Sequence, residues 1–169
     1  MSKQAHLIIL RGNSGSGKTT TAKALQKKFG YGTMLISQDV IRREVLYVKD
    51  GPDTAAASLL QELADYGNAH CDIVILEGIL NAEWYHEMFE HLLEVFGSHI
   101  SAYYFDLPFE ETLSRHQHKP NAQDFGEEDM RRWWIEQDFL DIIPEVCLPK
   151  ELSLEEIVAR IYLDVMEKR

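Results

Sequence analysis

Cysteine is scarce in this chain: among 169 residues only Cys71 and Cys147 carry thiols. Their wide separation fits neither a disulfide framework nor a metal-ligand spacing, so both read as buried thiols in a reducing, cytoplasmic setting. Basic residues are also short, 17 against 28 acidic ones, for a net charge of −11. That balance argues against an extended nucleic-acid surface, which needs a basic face, while leaving room for a local cationic pocket. No apolar run approaches the roughly 20 residues of a membrane span, and the opening MSKQAHLIIL is too short in apolar residues for a secretory leader. No membrane partner is expected. Repeats, low-complexity tracts and Pro/Gly/Ser linkers are missing too, so residues 1–169 read as one domain.

What is present is alternation. HLIIL reads as a buried strand and residues 19–29 as a helix closed by GYG. TMLI predicts a second strand, with a short helix from about Val40. TAAASLLQELADYGNAH predicts a helix, DIVILEGIL an apolar third strand, residues 84–96 a helix, and ISAYYF a fourth strand. Pro108 suits the first turn of the helix opened by PFEETLSRH. HQHKPNAQDFG, broken by Pro120 and Gly126, reads as a loop that exposes His116 and His118. EEDMRRWWIEQDFL predicts a further helix and EVCL a short fifth strand. Leu154, Ile157, Val158, Ile161, Tyr162 and Val165 share one face of a closing helix, with Ser153 and Glu156 as its capping box. Apolar strands alternating with helices predict an α/β fold, a mostly parallel sheet covered on both sides. Ligands of such sheets gather beyond the carboxyl ends of the strands.

Gly12, Gly17, Lys18 and Thr19 satisfy G-x-x-x-x-G-K-[ST] between a predicted strand and a predicted helix. The glycines let the backbone of Gly12, Asn13, Ser14, Gly15, Ser16 and Gly17 curl, turning its N–H groups toward phosphate oxygens. The helix that follows, through Thr19 and Thr20, adds the positive end of its dipole. Lys18 is expected to reach the β- and γ-phosphates of ATP and the Thr19 hydroxyl to ligate Mg²⁺.

Asp39, in SQD, falls beyond the second strand, where a carboxylate accepts a hydroxyl proton during attack on the γ-phosphate or holds Mg²⁺ through water. The competing reading is a helix cap. Arg42 stands three residues on, on the same helical face, and suits an anionic or polar part of an acceptor. Glu77 follows four apolar residues at the end of VILEG, a place for orienting magnesium-bound water or binding an acceptor hydroxyl. The plainer reading is an acid emerging at a strand end.

Together GNSGSGKTT, SQD and VILEGIL resemble the uridine–cytidine kinase and phosphoribulokinase-like branch of the P-loop kinases. The resemblance implies a P-loop NTPase three-layer αβα sandwich of about five parallel strands in the order 2-3-1-4-5. It also implies ATP and Mg²⁺ as cofactors, with Asp39 as general base, Lys18 on the phosphates, and Thr19 and Glu77 at the metal. The pairing of Asp39 with Arg42 is similar to that of phage-type polynucleotide 5′-kinases. The small size resembles chloramphenicol phosphotransferases and zeta-toxin-like sugar-nucleotide kinases. All transfer the γ-phosphate to a hydroxyl and differ in the acceptor. The expected activity is therefore a small-molecule kinase, nucleosides among the acceptors, acting as monomer or homodimer. An antibiotic, a sugar nucleotide or a polynucleotide 5′-hydroxyl is the alternative acceptor; a regulatory ATPase without one is the alternative class.

Phosphoryl transfer calls for positive charge on the migrating group, commonly carried by a closing segment. Arg115 ends the helix after the fourth strand, where the lid of a P-loop kinase starts, and is the expected transition-state or ATP contact. Lys119 follows in the same segment, near 115–127, whereas Arg131 and Arg132 read as a solvated helix face. Trp133 and Trp134 are adjacent, so one is expected in the core and the other at the acceptor pocket or lid.

Overall fold

The computed structural model describes residues 3–120 and 122–169. Every residue of His6–Gly12 (β1) and Ile73–Gly78 (β3) is buried, as continuous apolar runs demand when helices cover both faces. Thr33–Ser37 (β2), Ile100–Asp106 (β4) and Glu145–Pro149 (β5) complete a five-stranded parallel sheet in the order β2-β3-β1-β4-β5. Strand order and class match the expectation.

Successive side chains of a strand point to opposite faces, and here that alternation builds two cores. Leu7 and Ile9 join Val74 and Leu76 under Ala55–His70 (α3) and His86–Phe96 (α4). Ile8 and Leu10 join Ile75 and Phe105 under Lys18–Phe29 (α1) and Leu154–Lys168 (α7). Each buried Leu or Ile contributes about 1.5–3 kcal/mol, so the two cores hold the strand ends in place for the site above them. No helix among the described residues is long and apolar enough to cross a membrane.

Several expectations need correction. The second helix begins as Gln38–Val40 (α2) and continues as a π-helical turn, Ile41–Leu46, which Tyr47 ends at φ 55°. Phe109–Gln117 (α5) precedes Glu127–Trp133 (α6), and the helix predicted to run to residue 140 stops at Trp133. The chain beyond Trp134 leaves the helix for a turn at Glu136 and Gln137 and is held by side chains of β1 and its loop, described below. Leu154 is 37% exposed and leaves the face formed by Ile157, Ile161 and Val165. Cys71 is only partly buried and Cys147 is exposed, because Cys147 lies on the edge strand β5.

Candidate active site

Lys18, the first residue of α1, is 7% exposed and donates to the Asn13 carbonyl at 2.9 Å and the Ser16 hydroxyl at 3.3 Å. Burial pushes its amine down to about 8; Glu77 and Asp39 oppose that shift and Lys119 adds to it. The loop before it is held tightly. A Cβ on Gly15, at φ 82°, would stand 2.5 Å from the Thr112 carbonyl oxygen, so the loop rests directly on α5 and only glycine fits. Ser14, Gly15, Lys18 and Thr19 line a cavity of about 730 Å³. Gly12, Asn13, Ser16, Gly17 and Thr20 stand behind or beside them in the same loop and first turn.

Pairing of β1, β2 and β3 sets Glu77 beside Leu10 and Ser37. Its carboxylate is buried, and its Oε1 accepts from the Thr19 hydroxyl at 3.0 Å and the Ser37 hydroxyl at 2.7 Å. Two hydroxyls and a carboxylate form an all-oxygen set of the kind Mg²⁺ prefers, and Mg²⁺ is usually held by one or two protein oxygens plus substrate phosphates. Among the described residues no cluster of three or more His, Cys, Asp or Glu forms a closed metal cage. Thr19 and Glu77 therefore fit the metal that the phosphate loop implies.

Asp39 lies in the first turn after β2, its side chain 54% exposed. It caps nothing: Ser37 holds the N-cap position, and the Asp39 carboxylate accepts instead from Arg42 at 3.0 Å and Arg43 at 2.8 Å. Arg42 also donates to the Val48 carbonyl. The Arg43 guanidinium lies 5.5 Å from the Phe125 ring and 5.9 Å from that of Trp133, tying this turn to α6. Lys18, Asp39, Arg42 and Glu77 thus share one cavity.

Sequence reasoning missed the cavity's back wall. The Tyr85 hydroxyl donates to Asp50 at 2.7 Å and accepts from Gln38, which also reaches Asp50. Burial raises the Tyr85 pKa and the Asp50 hydrogen bond raises it further, keeping the phenol protonated. Gln38 sits inside SQD and Asp50 in the polar KDGPD turn, signals that only the fold connects. Gly78 makes the room: a Cβ there would stand 2.7 Å from that of Gln38.

The aromatic wall was also underread. Asn13 spends its side chain on Ile135, donating to its carbonyl at 2.7 Å and accepting from its N–H at 2.9 Å. Arg11, fully buried in β1, pairs with Asp138 at 2.9 Å and Glu145 at 3.1 Å. These contacts stop α6 and hold the following strap over the phosphate loop. Both Trp133 and Trp134 consequently line the cavity, and neither enters the core.

Arg115 is placed beside the loop rather than on the cavity wall: it donates to the Ser16 carbonyl at 3.0 Å and to Glu111. Lys119 does line the cavity, its pKa lowered by burial against the pull of Glu77 and Asp39. Arg132, assigned to a solvated face, remains exposed yet reaches the cavity rim. His116 is buried rather than exposed, stacked 4.3 Å from the Phe125 ring and bonded to the Phe125 carbonyl. Its contact with Phe125 joins the beginning of the 115–127 segment to its end, and within that segment Asn121 lies outside the described residues.

A family model described as an AAA domain matches residues 7–134. Among solved structures, the APS kinase of Mycobacterium tuberculosis, in complex with AMPPNP and APS, is 19% identical with a TM-score of 0.67, covering 97% of this chain and 98% of that one. Shikimate kinase from Acinetobacter baumannii, in complex with shikimate, is 14% identical at a TM-score of 0.64, covering 99% and 96%. A gluconokinase from Sinorhizobium meliloti is 16% identical at 0.60, covering 99% and 98%. At these identities the likeness establishes the fold, the P-loop NTPase αβα sandwich. A search of curated protein sequences found no match.

Proposed function

Because the chain belongs to the AAA_33 family of AAA domains, we propose that it is an ATP- and Mg²⁺-dependent kinase that transfers the γ-phosphate to a hydroxyl of a small molecule. One observation carries this reading: the cavity that begins at Lys18 and Thr19 takes in Asp39 and continues to Trp84 and Trp133. A site for nucleotide hydrolysis alone has no use for that second half. Its volume of about 730 Å³ lies within the range of ligand sites. The kinases among the structural neighbours support the same reading.

In this mechanism loop amides and Lys18 hold the phosphates, and Thr19 with Glu77 would hold Mg²⁺, which when bound neutralises charge on the β- and γ-oxygens. Asp39 accepts the acceptor's hydroxyl proton as that oxygen bonds to the γ-phosphorus and the bond to the bridging oxygen breaks, releasing ADP. Arg42 holds the acceptor beside Asp39. Arg115 serves the nucleotide side, one hydrogen bond from the loop it steadies. The 115–127 segment closes as a lid and brings Lys119 over the reacting groups.

The test is phosphate transfer from ATP across nucleosides, sugars, antibiotics and 5′-hydroxyl oligonucleotides, with Lys18→Ala as the blank. Wild-type transfer to one class, abolished in Lys18→Ala, is the expected result. ATP hydrolysis indifferent to every hydroxyl compound would leave the regulatory-ATPase reading instead.

A further inference from the structure

The far half of the cavity is unusual in charge and in composition. The chain carries a net charge of −11, yet six cations line this cavity against three carboxylates, Asp39, Asp50 and Glu77. Lys18 and Lys119 belong to the phosphate loop and the segment after α5, so they answer the nucleotide. The other four, Arg42, Arg43, Lys49 and Arg132, come from the chain after β2 and from α6.

Internal pairing does not use up their charge. Asp39 faces both Arg42 and Arg43. Asp50 is occupied by neutral donors, the Tyr85 hydroxyl, the Gln38 amide and the Gly51 N–H. Lys49 is engaged only through its backbone carbonyl, which accepts from the Thr54 hydroxyl, and its amine has no partner among the described residues. Arg132 forms an ion pair only with Asp129 on its own helix.

Composition points the same way. The chain has three tryptophans, and all of them, Trp84, Trp133 and Trp134, line this cavity rather than the core. Aromatic walls exclude water and lower the local dielectric, which strengthens each charge interaction inside. Asp39 answers Arg42 and Arg43 together and Asp129 answers Arg132, so these four cations keep an excess of positive charge that an added anion would balance.

Resting on the kinase reading above, we propose that the acceptor itself is anionic. It is a hydroxyl compound that also carries an oxyanion, carboxylate or phosphate, held by Lys49, Arg132 and Arg42 against the tryptophan wall while its hydroxyl meets Asp39. Lys49 and Arg132 are thus specificity determinants of the reaction.

The experiment uses matched pairs that differ only in the anion: aldoses against their aldonic acids for the carboxylate arm, and nucleosides against their 5′-monophosphates for the phosphate arm. Transfer from ATP is measured alongside tryptophan fluorescence titrations of Lys18→Ala, which read binding without turnover. The anionic member of one arm should be phosphorylated at least about tenfold more efficiently than its neutral partner. It should also bind Lys18→Ala more tightly, with an affinity that falls as salt rises.

Lys49→Gln and Arg132→Gln should each raise the acceptor KM about tenfold. The loss should fall on KM rather than kcat, and binding of the neutral partner should not weaken. Neutral members that bind or react as well as anionic ones overturn the proposal, and so does fluorescence that responds to neither. Tight, salt-sensitive binding of an anion without any transfer upholds the anion site and defeats the kinase reading, so the two fail separately.

Discussion

Burial pushes the Lys18 amine down to about 8, so in the free protein this side chain loses its charge just above neutrality. Bound triphosphate reverses that by bringing negative charge to the amine, and binding above pH 8 then takes up a proton. Calorimetry in buffers of different ionisation enthalpy should detect that uptake, and nucleotide affinity should fall as pH rises through about 8. The contribution to folding has the opposite sign. Between about 8 and the ordinary lysine range the unfolded chain binds more protons, so stability from this residue grows with pH there. For Asp39 the expectation concerns turnover: Asp39→Asn should keep ATP binding and lose on the order of 10²-fold or more in kcat. Turnover like wild type would reduce Asp39 to an anchor for Arg42 and Arg43. Both residues were legible from motif and position. That one carboxylate answers two guanidiniums, and that Lys49 and Arg132 share its cavity, depends on how far the chain folds back.

Helix α6 and the strap behind it show how an element takes its end from elsewhere. EEDMRRWWIEQDFL has helical composition throughout, yet α6 ends at Trp133. Asn13 binds both polar backbone groups of Ile135, and Arg11 grips Asp138 and Glu145. Local propensity is worth tenths of a kcal/mol per residue, whereas breaking a buried ion pair costs about 3–5 kcal/mol. Tertiary pairing therefore decides where the helix stops. Glu145→Ala should destabilise the protein by about 3–5 kcal/mol in urea unfolding, because the Arg11 charge stays buried and half-paired. A loss under about 1 kcal/mol would mean that Asp138 and the Leu80 carbonyl, which accepts from the Arg11 guanidinium at 2.8 Å, already suffice for Arg11. By contrast α7 was legible to its cap, since Ser153 and Glu156 are neighbours in sequence and their capping box is local.

At the scale of the whole molecule, the phosphate loop, the turn after β2 and the α5–α6 segment surround one cavity. If the 115–127 segment is the lid, a non-hydrolysable ATP analogue with Mg²⁺ should slow amide hydrogen exchange there and leave β1 and β3 unchanged. Exchange in that segment indifferent to nucleotide would assign closure to another element. The sequence by itself determined the fold class, the strand order through its motif resemblance, and the phosphate loop. Strand burial and the G-x-x-x-x-G-K-[ST] element are written in consecutive residues, and parallel strands admit few connections. Only the tertiary structure decided that every tryptophan faces one cavity, that His116 is buried against Phe125, and that a chain of net charge −11 concentrates cations around a single site. The physical reason is sequence distance: Asn13 and Ile135, or Arg43 and Trp133, become neighbours only when the fold brings the segments after the strands to one edge of the sheet.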